Sequence, residues 1–93
     1  MACFFTRRAE DDLEAIGDYI ALDNPVRAVS FVQEIRARCE SILDAPKGYP
    51  LVPRYGAGVR KVAFGRYLIL YTLNNAGEVI ILHIPAAAQD TLL

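Results

Sequence analysis

Apolar residues recur at Ala9, Leu13, Ile16 and Ile20, in steps of four, three and four that match the helical repeat. The opposite face carries Glu10, Asp11, Glu14 and Asp18, crowded toward the N-terminal end where the helix dipole favours negative charge. Thr6 is placed to cap this helix. Asp23-Asn24-Pro25 then ends it and begins another, because the residue before proline is pushed out of helical geometry while proline is tolerated in a first turn. Asn24 is the expected second cap. The second helix gathers Ala28, Phe31, Val32, Ile35, Cys39 and Ile42 on one side, with Arg27, Glu34, Arg38 and Ser41 on the other, until Pro46 stops it. Two amphipathic helices with so short a link form an αα-hairpin, and each has an apolar stripe to cover.

The period changes on either side of this hairpin. Cys3 to Thr6 is a short β-prone run. Pro46 to Gly58 contains Pro46, Gly48, Pro50, Pro53, Gly56 and Gly58, which predicts an irregular connector. Three strands are expected beyond it, over 59–64, 66–73 and 78–84. In the first, Val59, Lys61 and Ala63 face one way and Arg60, Val62 and Phe64 the other. Asn74-Asn75-Ala76-Gly77 suits a hairpin turn, because Asn and Gly accept left-handed backbone angles. The last two strands are almost continuously apolar, so both of their faces should be covered. The helices would cover one; a partner polypeptide, or the tail from Pro85 to Leu93 folding back, would cover the other. The fold class is α+β: a short N-terminal strand and an αα-hairpin packed on a small antiparallel sheet, in the order β-α-α-β-β-β.

With 93 residues, 54% of them hydrophobic and 23% charged, the chain suits one modest core that folds in water, so a single domain over residues 1–93 is expected. The longest apolar runs fall far short of the roughly 20 residues that cross a bilayer. Arg7, Arg8 and the acids from Glu10 to Asp12 follow Met1 almost at once, leaving no apolar signal segment, and the cytoplasm is the expected compartment. Cys3 and Cys39 lack metal-ligand spacing and read as small buried hydrophobes. No metal or cofactor is expected, since no phosphate loop, dinucleotide fingerprint or ligand cluster is visible. A net charge of −1 argues against direct nucleic-acid binding by the chain alone. The charge is uneven, however: residues 1–53 balance at −3 and residues 54–93 at +2, which points to the second half for a cationic contact surface.

The order of elements, together with particular residues, resembles the RelE/ParE superfamily of type II toxins. Ala9, Asp12-Leu13, Ile16, Tyr19-Ile20, Asn24-Pro25, Ala28 and Phe31 resemble its opening pattern. Gly58-Val59-Arg60, Tyr67-Leu68-Ile69-Leu70-Tyr71 and Val79-Ile80-Ile81-Leu82-His83 resemble its strand motifs. The likeness spans residues 4 to about 83 and lies nearest the ParE branch. It implies a toxin that binds DNA gyrase and is neutralised by a ParD-like antitoxin. The alternative it implies is a RelE-like ribosome-dependent endoribonuclease of messenger RNA.

Metal-free RNA cleavage needs a base, an acid and cations for the phosphorane charge. RelE-like members carry a strand arginine three residues before the tyrosine that ends their motif, and here that position is Leu68. The tail after His83 has no basic or aromatic residue, and Ala86 to Ala88 stand where ParE-like members commonly carry basic side chains. No residue is therefore assigned a catalytic role, and His83 reads as a hydrogen-bonded strand-end residue. Arg54, Arg60, Arg66, Tyr67, Tyr71 and His83 are the candidate contacts for antitoxin or target.

Overall fold

The computed structural model describes residues 2–87, and the expectations for Ala88 to Leu93 fall outside them. Strand β1 (Cys3–Phe5) leads into helices α1 (Arg7–Ala21) and α2 (Pro25–Ser41), and strands β2 (Arg60–Phe64), β3 (Tyr67–Leu73) and β4 (Val79–His83) follow the connector. Both helices begin where capping chemistry places them. Thr6 Oγ1 accepts the Ala9 N–H at 3.1 Å, and Asn24 Oδ1 accepts the Arg27 N–H at 3.0 Å with Pro25 in the first turn. Thr6 also donates its hydroxyl to the Leu82 carbonyl, so the first cap ties α1 to the sheet as well.

The sheet has four strands in the order β1-β4-β3-β2. It is mixed and not purely antiparallel, because β1 runs parallel to β4, with Cys3, Phe4 and Phe5 opposite Val79, Ile80 and Ile81. A parallel partner separated by the whole chain is possible because the αα-hairpin and connector supply the crossover. The connector is less irregular than its prolines suggest. Pro53–Tyr55 forms a 3₁₀ turn, and Leu51 bridges Arg60 at the edge of β2. In the β3–β4 turn the left-handed residue is Gly77, while Asn74 works through its side chain, accepting the N–H groups of Ala76 and Glu78 at 3.0 and 2.9 Å.

The core lies between the helices and one face of the sheet. Ala9, Leu13 and Ile16 of α1 and Ile35 and Cys39 of α2 meet Val62, Ile69, Tyr71, Val79 and Ile81. The other face is not left open as a whole. Leu70 is buried on it beside Val59 and Tyr55 of the connector, so part of the cover expected from a partner or the tail comes from residues before β2. Accessible there are Ala63 of β2 and the β1–β4 side, with Phe4 48% exposed and Ile80 and Leu82 partly so.

Cys39 is fully buried and Cys3 partly so, with the Cys3 Sγ 3.8 Å from the Cys39 carbonyl. Burial, reinforced by the neighbouring Cys3, pushes the Cys39 thiol up to about 12 from its ordinary 9.0. The unfolded chain releases this proton first, so the stabilisation is complete below pH 9.0 and is withdrawn as pH climbs from there towards about 12. Iodoacetamide at about pH 8 should leave Cys39 unmodified until denaturant is added; rapid labelling of the folded chain would contradict this burial.

Candidate functional site

Titratable groups converge at the end of β4. Leu70 lies opposite His83 while Tyr71 lies opposite Ile81, so the register shift leaves Leu82 as an extra residue on β4. Such a bulge re-aims the side chains after it. Ile84 consequently enters the core, and His83 turns to the face that holds Leu70.

Helix α1 meets His83 there. His83 Nδ1 is 2.6 Å from Asp12 Oδ2, and the same oxygen accepts the Ile84 N–H at 2.9 Å. On the other side of the ring, the Arg8 guanidinium is 3.2 Å from His83 Nε2. Arginine has only donors, so Nε2 is the acceptor and Nδ1 carries the proton toward Asp12. One neutral tautomer satisfies both partners. Arg8 and Asp12 can flank a single ring because residues four apart share a helix face.

A cavity of about 150 Å³ opens beside this group, walled by Arg8, His83, Tyr55, Val59, Leu70 and Leu82. A carboxylate behind an imidazole is the arrangement that orients a general base. Here, however, the remaining ring nitrogen is occupied by a guanidinium, and the carboxylate oxygen also holds a backbone N–H. The arrangement pins the end of β4 to α1. Among the described residues no three His, Cys, Asp or Glu side chains converge as metal ligands would.

The six nominated contact residues do not form one patch. Arg60 points to the helix side of the sheet and donates to the carbonyls of Lys47 and Tyr49, at 3.3 and 2.6 Å. Its cross-strand partner Tyr71 is 0% exposed and donates to the Pro46 carbonyl at 2.6 Å, so it offers a partner no surface. Burial pushes the Tyr71 phenol up, with Arg60 pulling the other way, which keeps it a neutral donor. Both residues hold the connector. Tyr67 packs its ring against Phe31, with centroids 6.0 Å apart, beside the turn that exposes Arg66. Arg54 lies over the ring of Tyr55, one of the cavity's walls, at 5.5 Å. Only His83 of the six belongs to the charged cluster. Arg8 and Asp12, which complete it, were not among the nominated residues. Asp12 could have been found: it lies three residues after Ala9 and four before Ile16, a position that faces inward and not with the solvated acids.

The family model for the "ParE toxin of type II toxin-antitoxin system, parDE" matches residues 3–91. The chain belongs to the ParE toxin family. Among solved structures it is similar to a chromosomal ParDE TA system from P. aeruginosa, at 27% identity and a TM-score of 0.78, covering 92% of this chain and 95% of the other. It is also similar to the toxin–antitoxin complex RelBE2 from Mycobacterium tuberculosis, at 21% identity and a TM-score of 0.60, covering 91% and 95%. That second likeness extends to the fold alone. Comparison with the curated proteins gives no match. The ParE family accounts for the β-α-α-β-β-β order, and no described helix is long and apolar enough to cross a membrane.

Proposed function

We propose that this chain acts by binding and not by catalysis, as a cytoplasmic ParE toxin that inhibits DNA gyrase and is held inactive by a ParD-like antitoxin. The observation that supports this most strongly is the state of His83. Both ring nitrogens are engaged, one by Asp12 and one by Arg8, and the shared carboxylate oxygen also takes the Ile84 N–H. A ring committed on both sides is poorly placed to collect a proton from a substrate. Leu68, at the position of the RelE-like arginine, is buried and apolar, so that strand position supplies no cation for a phosphorane. The likeness to a ParDE system favours a ParD-like antitoxin as the partner. Arg54, Arg66, Tyr67 and His83 stay as proposed contacts, while Arg60 and Tyr71 serve the connector.

The test is a supercoiling assay with purified gyrase and the purified chain. Inhibition is expected, and it should be relieved when the product of the neighbouring small gene is added. Unimpaired supercoiling at a large molar excess of the chain would overturn the gyrase assignment.

A further inference from the structure

We infer that the cavity beside His83 is a binding site for a short aliphatic carboxylate, held by the Arg8 guanidinium and by the cavity's apolar walls. This goes beyond the reading of the chain as a gyrase-binding toxin and does not depend on it.

Arg8 is the residue that points to an anion. Arg27 and Arg36 are ion-paired with Glu34 and Glu10. Arg8, by contrast, spends one N–H on the His83 ring at 3.2 Å and meets no carboxylate among the described residues. A guanidinium carries its donors in a planar fork, so a bidentate pair is still open to a ligand after that bond. Its position adds to the demand. Arg7 and Arg8 occupy the first turn of α1, the end at which the helix dipole already concentrates positive potential. An anion beside Arg8 relieves both.

His83 fixes where the fork sits. Its Nδ1 is bound to Asp12, so Nε2 is turned to Arg8 and holds the guanidinium at the cavity. A donor held in place before the ligand arrives loses less freedom on binding. Asp12 does not compete for the site, because its Oδ2 already serves the imidazole and the Ile84 N–H on the other side of the ring.

The walls define the rest of the ligand. Val59 and Leu70 are buried, Leu82 and Tyr55 partly so, and the cavity they line holds about 150 Å³. Pockets for drug-sized molecules run to roughly 300–1,000 Å³, so this one takes a short acid and excludes nucleotides and sugar phosphates. Inorganic phosphate is disfavoured, because it would give up its hydration against aliphatic walls for a single arginine. A cation is repelled by Arg8, and a neutral alcohol leaves its charge unanswered. A carboxylate on a short alkyl chain satisfies both the fork and the walls, whether carried by a free acid or by a glutamate side chain.

The test is a titration of the full chain, with its methyl groups isotopically labelled, against sodium butyrate, inorganic phosphate and butanol at constant ionic strength. Butyrate is expected to saturate in the millimolar range, moving the methyl signals of Val59, Leu70 and Leu82. It should bind at least about tenfold more tightly than phosphate or butanol. From acetate through propionate to butyrate, the affinity should rise about fourfold for each methylene buried. Arg8→Gln keeps a polar side chain without the charge and should weaken butyrate about tenfold, whereas Arg7→Gln should leave it within about twofold. The methylamide of N-acetylglutamic acid separates the two sources: tighter binding than butyrate assigns a protein side chain, and weaker binding assigns a free acid. Affinity independent of chain length, an equal response to phosphate, undiminished binding by Arg8→Gln, or no saturation with either carboxylate would each overturn the proposal. The chain-length series uses only the parent protein, so it decides the matter even should Arg8→Gln unfold. Gyrase takes no part in these readouts, and their failure would leave the gyrase reading standing.

Discussion

Tyr71→Ala is expected to destabilise the fold by about 4 kcal/mol, the usual cost of removing a fully buried aromatic side chain. The ring lies in the core beside Ile69 and Ile81, edge-on to Tyr49 at 6.3 Å. Folded domains have only about 5–15 kcal/mol in total, so this variant should be largely unfolded at modest urea concentrations. Tyr71→Phe separates the two roles of the residue. It keeps the ring and removes the hydroxyl that reaches the Pro46 carbonyl, and should cost about 1.5 kcal/mol. Urea denaturation of the three chains checks both figures. Equal midpoints for Tyr71→Phe and the parent chain would show that the connector does not depend on this bond.

Asp12→Ala should cost about 3 kcal/mol, because one carboxylate oxygen serves two donors and hydrogen bonds to a charged group contribute roughly 1.5–3 kcal/mol each without simple addition. The loss should appear at the end of β4. The Ile84 N–H would be left without its acceptor, and its hydrogen exchange should speed up well before that of Ile69 in the sheet centre. Asp12→Asn retains an oxygen that can accept from both donors but carries no charge, so a smaller loss is expected. A cost within about 0.5 kcal/mol for Asp12→Ala, as for an ordinary surface substitution, would remove the structural role assigned to the Asp12–His83–Arg8 group.

The helices were legible because local rules act alone there. The spacing of Ala9, Leu13, Ile16 and Ile20, with Thr6 and Asn24 before the two apolar runs, specifies both the elements and their inward faces. The faces of β2 were legible for the same reason, since alternation separates Val62 and Phe64 from Lys61 and Ala63. Three features depend on partners distant in sequence and leave no local signature. A three-residue strand such as Cys3–Phe5 carries too little pattern to declare its neighbour or direction, and its place beside β4 is a tertiary outcome. The extra residue at Leu82 breaks the alternation of an otherwise uniform apolar run, so nothing local distinguishes the face of His83 from that of Ile84.

The third feature concerns the connector. Its prolines carry no N–H, so the carbonyls of Pro46, Lys47 and Tyr49 take side-chain donors from the sheet, namely Tyr71 and Arg60. Two residues read from the sequence as contacts for a partner are thereby used within the fold. The same reasoning places Asp12 apart from its acidic neighbours. Glu10 and Glu14 are exposed on the outer side of α1, whereas Asp12 turns inward to the strand end.

Action by binding, with His83 serving the fold, is tested most directly in a purified translation system programmed with a defined messenger RNA and supplied with the chain alone. Primer extension should find the transcript intact at chain concentrations that stop gyrase supercoiling. Ribosome-dependent cuts within codons, abolished by His83→Ala in a chain that still folds, would contradict it.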